Sequence, residues 1–140
     1  MDVVSKNKNR YLLRLDPGEE LLSTIQDFCK DKNIKNAWLE GIGSSDLVVL
    51  AYYNLNKQEY LKNEYKERME IMSILGNIAI KEGELFCHAH GVFGRPDMST
   101  LGGHIVKCVV SATAEINLTT YSGPVERLKD EDTGLHLICS

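Results

Sequence analysis

Three of the four histidines in this 140-residue chain fall within one short region. His88 and His90 are separated by one residue, and His104 directly follows Gly102 and Gly103. In a β-strand, side chains at positions i and i+2 project from the same face about 6–7 Å apart, so both imidazoles could reach one metal ion. The glycines before His104 allow the chain to fold back and bring that residue into the same pocket. The sequence therefore predicts a three-histidine metal site.

The number of ligands indicates the kind of site. Structural zinc is normally closed by four protein ligands, whereas three protein ligands leave one position for water or substrate. Cys87 falls on the opposite strand face from His88 and His90, and Cys108 lies about 13 Å along a strand from His104. Neither cysteine suits as a fourth ligand, so we expect an open position. Zinc is the expected metal because neutral imidazoles suit it, and copper, nickel or iron(II) would accept the same ligands.

Two other interpretations of the histidines remain open. A polar pocket or a subunit contact would also use hydrogen-bonded histidines, and His136, between Leu135 and Leu137, is expected to be such a packing residue. A His-x-His strand also occurs in cupins, but their motif supplies a glutamate shortly after the second histidine. The segment Gly91 to Arg95 carries no carboxylate.

The elements that position these residues begin near the N-terminus. Arg10 to Leu15 is predicted to be a strand, followed by a helix with Asp16 as its N-cap, Pro17 as its first residue and Glu19 completing a capping box. The helix is expected to continue to about Lys32. Its apolar face consists of residues at helical spacing: Leu21, Leu22, Ile25, Phe28 and Cys29.

The rest of the chain predicts mostly strands. Segments rich in β-branched and aromatic residues are Ala37 to Ile42, Leu47 to Tyr53, Glu70 to Ile80, Leu85 to Val92, Ile105 to Thr120 and Leu135 to Cys139. Gln58 to Arg68 fits a strand or a helix, and loops are expected at Gly91 to Gly103 and Ser122 to Gly134. Consecutive strands favour an α+β fold with an antiparallel β-sheet core, one main N-terminal helix and minor helices.

The segment from Gly41 to Ser45 could cradle an anion with its backbone N–H groups, which makes Gly41 and Ser44 candidate ligand-binding residues. It fits neither a P-loop nor a Rossmann fingerprint, because no lysine or helix follows it. A tight turn between two strands, ending near Asp46, is the structure this segment favours.

The charge of the chain disfavours nucleic acid. The 16 basic and 20 acidic residues give a net charge of −4, so no global basic field attracts DNA. Gly94 to Pro96 matches the core of an AT-hook but lacks flanking basic residues, so a turn is expected there. Lys6, Lys8, Arg10 and Lys107 could form a local basic patch.

Length and composition predict one domain over residues 1–140, with a core from about residue 10 to residue 138. No secretory signal or membrane span is recognised, so a cytoplasmic protein is expected. The cysteines lack any C-x-x-C pair and are expected to be reduced: Cys29, Cys87, Cys108 and Cys139.

The order of these motifs resembles the PPC (plants and prokaryotes conserved) domain, over about Tyr11 to Leu137. The residues that carry the resemblance are Tyr11 to Leu15, Gly18 to Leu21, Gly41 to Ser44, Glu70 to Ile78, His88 to His90, Gly102 to Ile105, Thr113 to Ile116, Arg127, Asp130, Thr133, Gly134 and Leu135. Taken together these motifs are far more specific than any one of them.

The resemblance implies a compact α+β fold that assembles as a homotrimer. In prokaryotic members it implies metal bound by histidines matching His88, His90 and His104. Plant relatives attach AT-hooks to this domain and bind DNA, but this chain has no AT-hook. We therefore expect a trimeric zinc protein of unestablished biochemical role whose open position takes a small anionic ligand oriented by Arg127.

Two alternatives are kept. One is a DNA-binding or transcription-associated module, which rests on the fold analogy alone. The other is a scaffold in which metal only stabilises the trimer. No catalytic base can be assigned, since Glu40, Glu70 and Glu115 are equally eligible.

Overall fold

The computed structural model describes residues 1–139, which fold mostly as β-sheet with one short helix. The elements in chain order are β1 (Asp2–Asn7), β2 (Arg10–Leu15), α1 (Leu21–Asp31), β3 (Ala37–Asn54), β4 (Glu59–Tyr65), β5 (Met69–Lys81), β6 (Glu84–Gly94), β7 (Thr100–Thr120), β8 (Glu126–Lys129) and β9 (His136–Cys139). No helix within these residues is long and apolar enough to cross a membrane.

All nine strands belong to one connected sheet. Every pairing is antiparallel except the short one between β5 and β8. Strand β3 pairs with both β5 and β7, and β6 also pairs with both, so these four strands close into a ring. A closed ring leaves fewer free strand edges and fixes the register of each member from two sides.

Alternating burial along the long strands turns one face of each strand into a core shared with β2 and α1. Leu39, Ile78, Phe93 and Ile116 are almost fully buried there. Helix α1 packs against β6 and β7, and each large apolar side chain that it buries contributes about 1.5–3 kcal/mol relative to exposure. The buried face of α1 comprises the residues predicted from helical spacing: Leu21, Leu22, Ile25, Phe28 and Cys29.

The helix begins later than the sequence predicts, and Asp16 is not its N-cap. Glu20 is the N-cap, and its carboxylate accepts hydrogen bonds from the backbone N–H groups of Leu22 (3.3 Å) and Ser23 (2.8 Å). The preceding residues are held against β7 instead, because Gly18 N donates to Val110 O at 2.8 Å and Val110 N donates to the carbonyl of Glu19. This long-range pairing prevents the helix from starting at the proline.

The predicted turn between Gly41 and Asp46 is also wrong, because β3 runs through it without interruption. Register shifts in the pairing of β3 with its neighbours occur at Gly41, Gly43 and Ser45. A Cβ atom on Gly43 would collide with Thr113 O and would lie 2.7 Å from Ala114 Cα. These glycines therefore permit close strand approach at bulges.

The structure also contains more strand and less helix than the sequence predicts elsewhere in the chain. The minor helices are absent from residues 1–139, and the ambiguous segment after Gln58 forms β4. Strands β1 and β8 were not predicted. The expected loop from Gly91 to Gly103 contracts to the connection between Gly94 and Thr100, because β6 and β7 extend into it. The fold is more β-rich than the α+β expectation.

The close approach of β3 and β7 gives a testable prediction. Gly43→Ala should lower the free energy of unfolding by about 1–3 kcal/mol, because backbone atoms of β7 must shift to admit the methyl group. Gly102→Ala is the matched control, since its added Cβ meets no atom closer than 3.4 Å. Urea unfolding of both variants measures the difference, and equal stability of the two would contradict the packing argument.

Candidate metal centre

The structure brings the three predicted histidines together at one side of the ring. His90 on β6 lies directly opposite His104 on β7, and His88 precedes His90 by two residues on the same face of β6. The ring centroids are separated by 5.1 Å for His88 and His90, 5.1 Å for His88 and His104, and 5.4 Å for His90 and His104. One ring nitrogen from each histidine lies within 4.8 Å of the other two.

A tight β6–β7 connection sets this arrangement. Arg95 N donates to Ser99 O at 2.9 Å, and Asp97 Oδ1 accepts hydrogen bonds from both the N–H and the hydroxyl of Ser99. The connection pairs Gly94 with Thr100. His90 lies four residues before Gly94 and His104 lies four residues after Thr100, so these two histidines must face each other. The pair next to the histidines is Gly91 and Gly103, and Gly103 lines the same cavity as the histidines.

The electrostatics favour neutral imidazoles. Burial lowers the pKa of His88 to about 4, with further lowering by Arg127 and by the neighbouring histidines. Burial likewise lowers the pKa of His104 to about 4, with contributions from His90, Arg127 and Lys62. A neutral imidazole offers the lone pair that a metal needs. His104 Nδ1 is buried and has no hydrogen-bond partner among residues 1–139, so the residues present fit a metal ion.

Arg127 on β8, predicted to orient an anion, lines the same cavity as the histidines. It is only 8% exposed. Its Nη1 donates to His136 O at 3.0 Å, and its Nη2 lies 2.9 Å from both Asn77 Oδ1 and His88 Nδ1. Its Nε is buried without a partner, and no carboxylate within residues 1–139 forms an ion pair with this guanidinium. Burial lowers the pKa of Arg127, as expected for an uncompensated charge.

The histidines and Arg127 line an open cavity of about 740 Å³. Its walls include the rings of Tyr60, whose centroid lies 5.2 Å from that of His104, and Phe86, whose centroid lies 6.0 Å from the Arg127 guanidinium carbon. Glu59 is the one carboxylate among the described lining residues. The cavity therefore combines a cluster of metal-binding side chains with a net cationic wall.

Other candidate residues lie elsewhere. Gly41 and Ser44 do not line this cavity: Gly41 packs against β7, and Ser44 Oγ accepts a hydrogen bond from Ala112 N at 3.1 Å. His136 lines the cavity outside the three-histidine cluster, and its Nε2 lies 3.3 Å from Glu82 Oε1. Sequence reasoning missed Asn77, Glu59 and Tyr60, because each comes from a strand whose register was not known in advance.

The structure does not assemble the possible DNA-binding features. Arg10 pairs with Thr119 at one end of β7, whereas Lys107 lies toward the other end, opposite Val49. The segment around Arg95 forms the β6–β7 connection, and the Arg95 side chain is ion-paired with Glu67 at 2.7 Å. Lys6, Lys8 and Arg10 lie together at the β1–β2 hairpin, and Lys107 lies apart from them.

Fold and site together define a β-sheet protein with a three-histidine candidate metal centre. The sequence matches the Plants and Prokaryotes Conserved (PCC) domain over residues 3–122. The chain therefore belongs to the Plants and Prokaryotes Conserved domain family, as its motifs predicted. None of the curated proteins matches it in sequence.

Solved structures agree with this assignment. A plant- and prokaryote-conserved protein from Pyrococcus horikoshii is 36% identical, with a TM-score of 0.88 over 95% of this chain and 92% of its own. A metal-containing protein from Archaeoglobus fulgidus is 35% identical, with a TM-score of 0.88 over 100% of this chain and 99% of its own. A candidate DNA-binding protein from Bacteroides thetaiotaomicron is 28% identical, with a TM-score of 0.92 over 96% and 94%.

The lowered pKa values predict how the metal-free protein responds to acid. His88 and His104 titrate near pH 6.5 when unfolded and near pH 4 when folded, so the unfolded chain binds more protons between these values. Their contribution to stability is complete above about pH 6.5 and is lost as the pH falls toward 4. Allowing for solvent screening, we expect a loss of about 2 kcal/mol at pH 5.

Urea unfolding of chelator-treated protein at pH 7 and pH 5 measures this loss. The control is the double variant His88→Gln with His104→Gln, which keeps the carboxylates that also titrate in this range. The wild type should lose more stability than the variant, and parallel pH profiles would contradict the assignment.

Proposed function

We propose that the protein is a homotrimer that binds one zinc ion per chain through His88, His90 and His104, with an open coordination position for a small anionic ligand. The observation that carries this proposal is the convergence of three imidazoles whose ring nitrogens lie within 4.8 Å of one another. The buried, unpartnered Nδ1 of His104 supports it, because a buried ring nitrogen without a partner is costly unless something binds it. The similar Archaeoglobus protein is a metal-containing protein, which points the same way.

The donor set favours zinc. Three neutral nitrogen ligands are typical of zinc sites that retain an exchangeable position, and oxygen-preferring magnesium or calcium would not select them. His88, His90 and His104 would hold the zinc ion, which would supply Lewis-acid chemistry at this site. The protein's own residues would do the rest: Arg127 attracts and orients an anion, while Tyr60 and Phe86 wall the cavity.

An exposed sheet face supports the proposed trimer. Strand pairing places Leu12, Asn117, Glu40, Leu75 and His90 in one row across the sheet, with Trp38 on the same face of β3 as Glu40. The apolar side chains of this face are 40% exposed at Leu12, 42% at Trp38 and 49% at Leu75. An apolar face of this kind is typical of a protein interface. A second copy of the chain is the occupant we propose, which would put His90 near the subunit contact.

DNA binding is the alternative that the Bacteroides relative suggests. No specific feature of this chain favours it. The net charge is −4, and Lys107 lies apart from the three basic residues at the β1–β2 hairpin, Lys6, Lys8 and Arg10. Phosphate contacts supply most nucleic-acid affinity, so three cations on one hairpin of an acidic chain give little of it.

Metal content tests the zinc proposal. Protein purified without a histidine tag and equilibrated with zinc should contain one zinc ion per chain by elemental analysis. His90→Ala should reduce zinc affinity at least about tenfold, because one of three ligands is lost. The exposed position of His90 makes this variant the least disruptive of the three.

His136→Ala is the matched control, since it removes a cavity histidine outside the cluster and should retain one zinc ion. Wild-type protein that takes up no zinc would contradict the proposal. So would a His90→Ala variant that binds zinc as tightly as the wild type.

Light scattering coupled to size exclusion tests the trimer. The wild type should elute with about three times the mass of one chain, and Leu75→Asp should shift it toward the monomer by placing a charge in an apolar contact. Leu55→Asp is the control, because Leu55 is 59% exposed just beyond the end of β3 that is farther from Glu40. A monomeric wild type would refute the trimer, and a Leu75→Asp trimer would refute this interface.

A further inference from the structure

The contact between Arg127 and His88 constrains what happens when the site is loaded. Arg127 Nη2 and His88 Nδ1 are 2.9 Å apart. A guanidinium donates hydrogen bonds and cannot accept them, so Nδ1 must be the acceptor, with its lone pair free. In a neutral ring the proton then resides on Nε2.

Metal binding by a neutral His88 removes this acceptor whichever ring nitrogen is the ligand. If Nδ1 binds the metal, its lone pair is used. If Nε2 binds the metal, the proton moves to Nδ1, where it faces the N–H donors of Arg127 and seeks an acceptor of its own. Coordination by His88 and the Arg127–His88 hydrogen bond therefore exclude each other.

Arg127 then has unused donors in a buried position. Its Nε already lacks a partner, and the two acceptors that remain, Asn77 Oδ1 and His136 O, are both neutral. Among the described lining residues the one carboxylate is Glu59, which lies 3.8 Å from Lys57 Nζ. A buried cation without a counter-charge is unfavourable, and a metal ion nearby increases the local positive charge.

An organic carboxylate would supply both the hydrogen-bond acceptors and the negative charge that Arg127 lacks. Its two oxygens match the fork geometry of a guanidinium, and its charge offsets that of Arg127. The cavity of about 740 Å³ and its aromatic walls, Tyr60 and Phe86, suit a small organic molecule.

Resting on the proposed metal site, we propose that Arg127 is the carboxylate-binding residue of this protein and that metal loading makes it available. Metal and carboxylate then bind cooperatively, since each removes an obstacle to the other. Without a carboxylate, Arg127 competes with the metal for His88.

Zinc affinity measured by competition with a chromophoric chelator tests this coupling, using acetate as the carboxylate probe and chloride at equal ionic strength as its reference. Arg127→Met removes the donors and the charge but keeps an unbranched side chain. In chloride, this variant should bind zinc at least about tenfold more tightly than the wild type, as expected for one lost charge-assisted hydrogen bond. Acetate should tighten zinc binding by the wild type severalfold and leave the Arg127→Met variant unchanged.

Two further variants secure the interpretation. Arg10→Met removes an exposed arginine on β2 and should behave as the wild type in both salts. Arg127→Lys keeps the charge without the fork, so it should show a smaller acetate effect than the wild type. It also replaces Arg127→Met if the latter has lost its thermal unfolding transition.

The outcomes separate this inference from the metal proposal. Weaker zinc binding by Arg127→Met would make Arg127 a residue that positions His88, and would overturn the competition. Zinc binding by the wild type with no dependence on acetate would overturn the carboxylate assignment alone. Failure of the wild type to bind zinc would overturn both proposals.

Discussion

The register between β6 and β7 is the constraint on which the site depends. The short connection after Gly94 pairs that residue with Thr100, and strand geometry then places His90 against His104. A shift of one residue would turn one histidine to the opposite face of the sheet. Strand β5 pairs along the whole length of β6, and β3 pairs along β7, so the register is held from both sides. A surface loop could not hold two imidazoles to the same tolerance.

Strand pairing also buries the positive charge of Arg127 beside the neutral imidazoles of His88 and His104. Pairing of β8 with β5 delivers Arg127 next to Asn77, and pairing of β5 with β6 sets Asn77 opposite His88. Burial keeps the pKa values of His88 and His104 low, and the guanidinium lowers them further. The same charge that keeps the imidazoles available as ligands also opposes a metal cation. An anion is the species that reconciles these effects, because it lowers the electrostatic cost of holding both cations in one cavity.

The sequence predicts the parts of the site that depend on local spacing. The i, i+2 histidines and the hairpin that returns His104 follow from strand periodicity and glycine placement, and the buried face of α1 follows from helical periodicity. Features that depend on distant strands were missed. The delayed helix start requires knowing that Gly18 bonds Val110, and the interpretation of Gly43 requires knowing how closely β7 passes. Arg127 was indicated by the family resemblance, because nothing in its own four-residue strand marks it.

The distribution of positive charge helps to distinguish DNA binding from metal binding, the two properties named for proteins similar to this chain. A DNA-binding surface needs exposed cations spaced to follow phosphates. Here Arg127 is buried at the floor of a cavity, and Arg95 in the AT-hook-like segment is ion-paired with Glu67. In the proposed function, a ligand that neutralises Arg127 would enter the cavity, which a duplex backbone cannot do. The buried charge of Arg127 would then be directed toward a small molecule beside the histidines, and metal binding and anion binding would be two properties of one site.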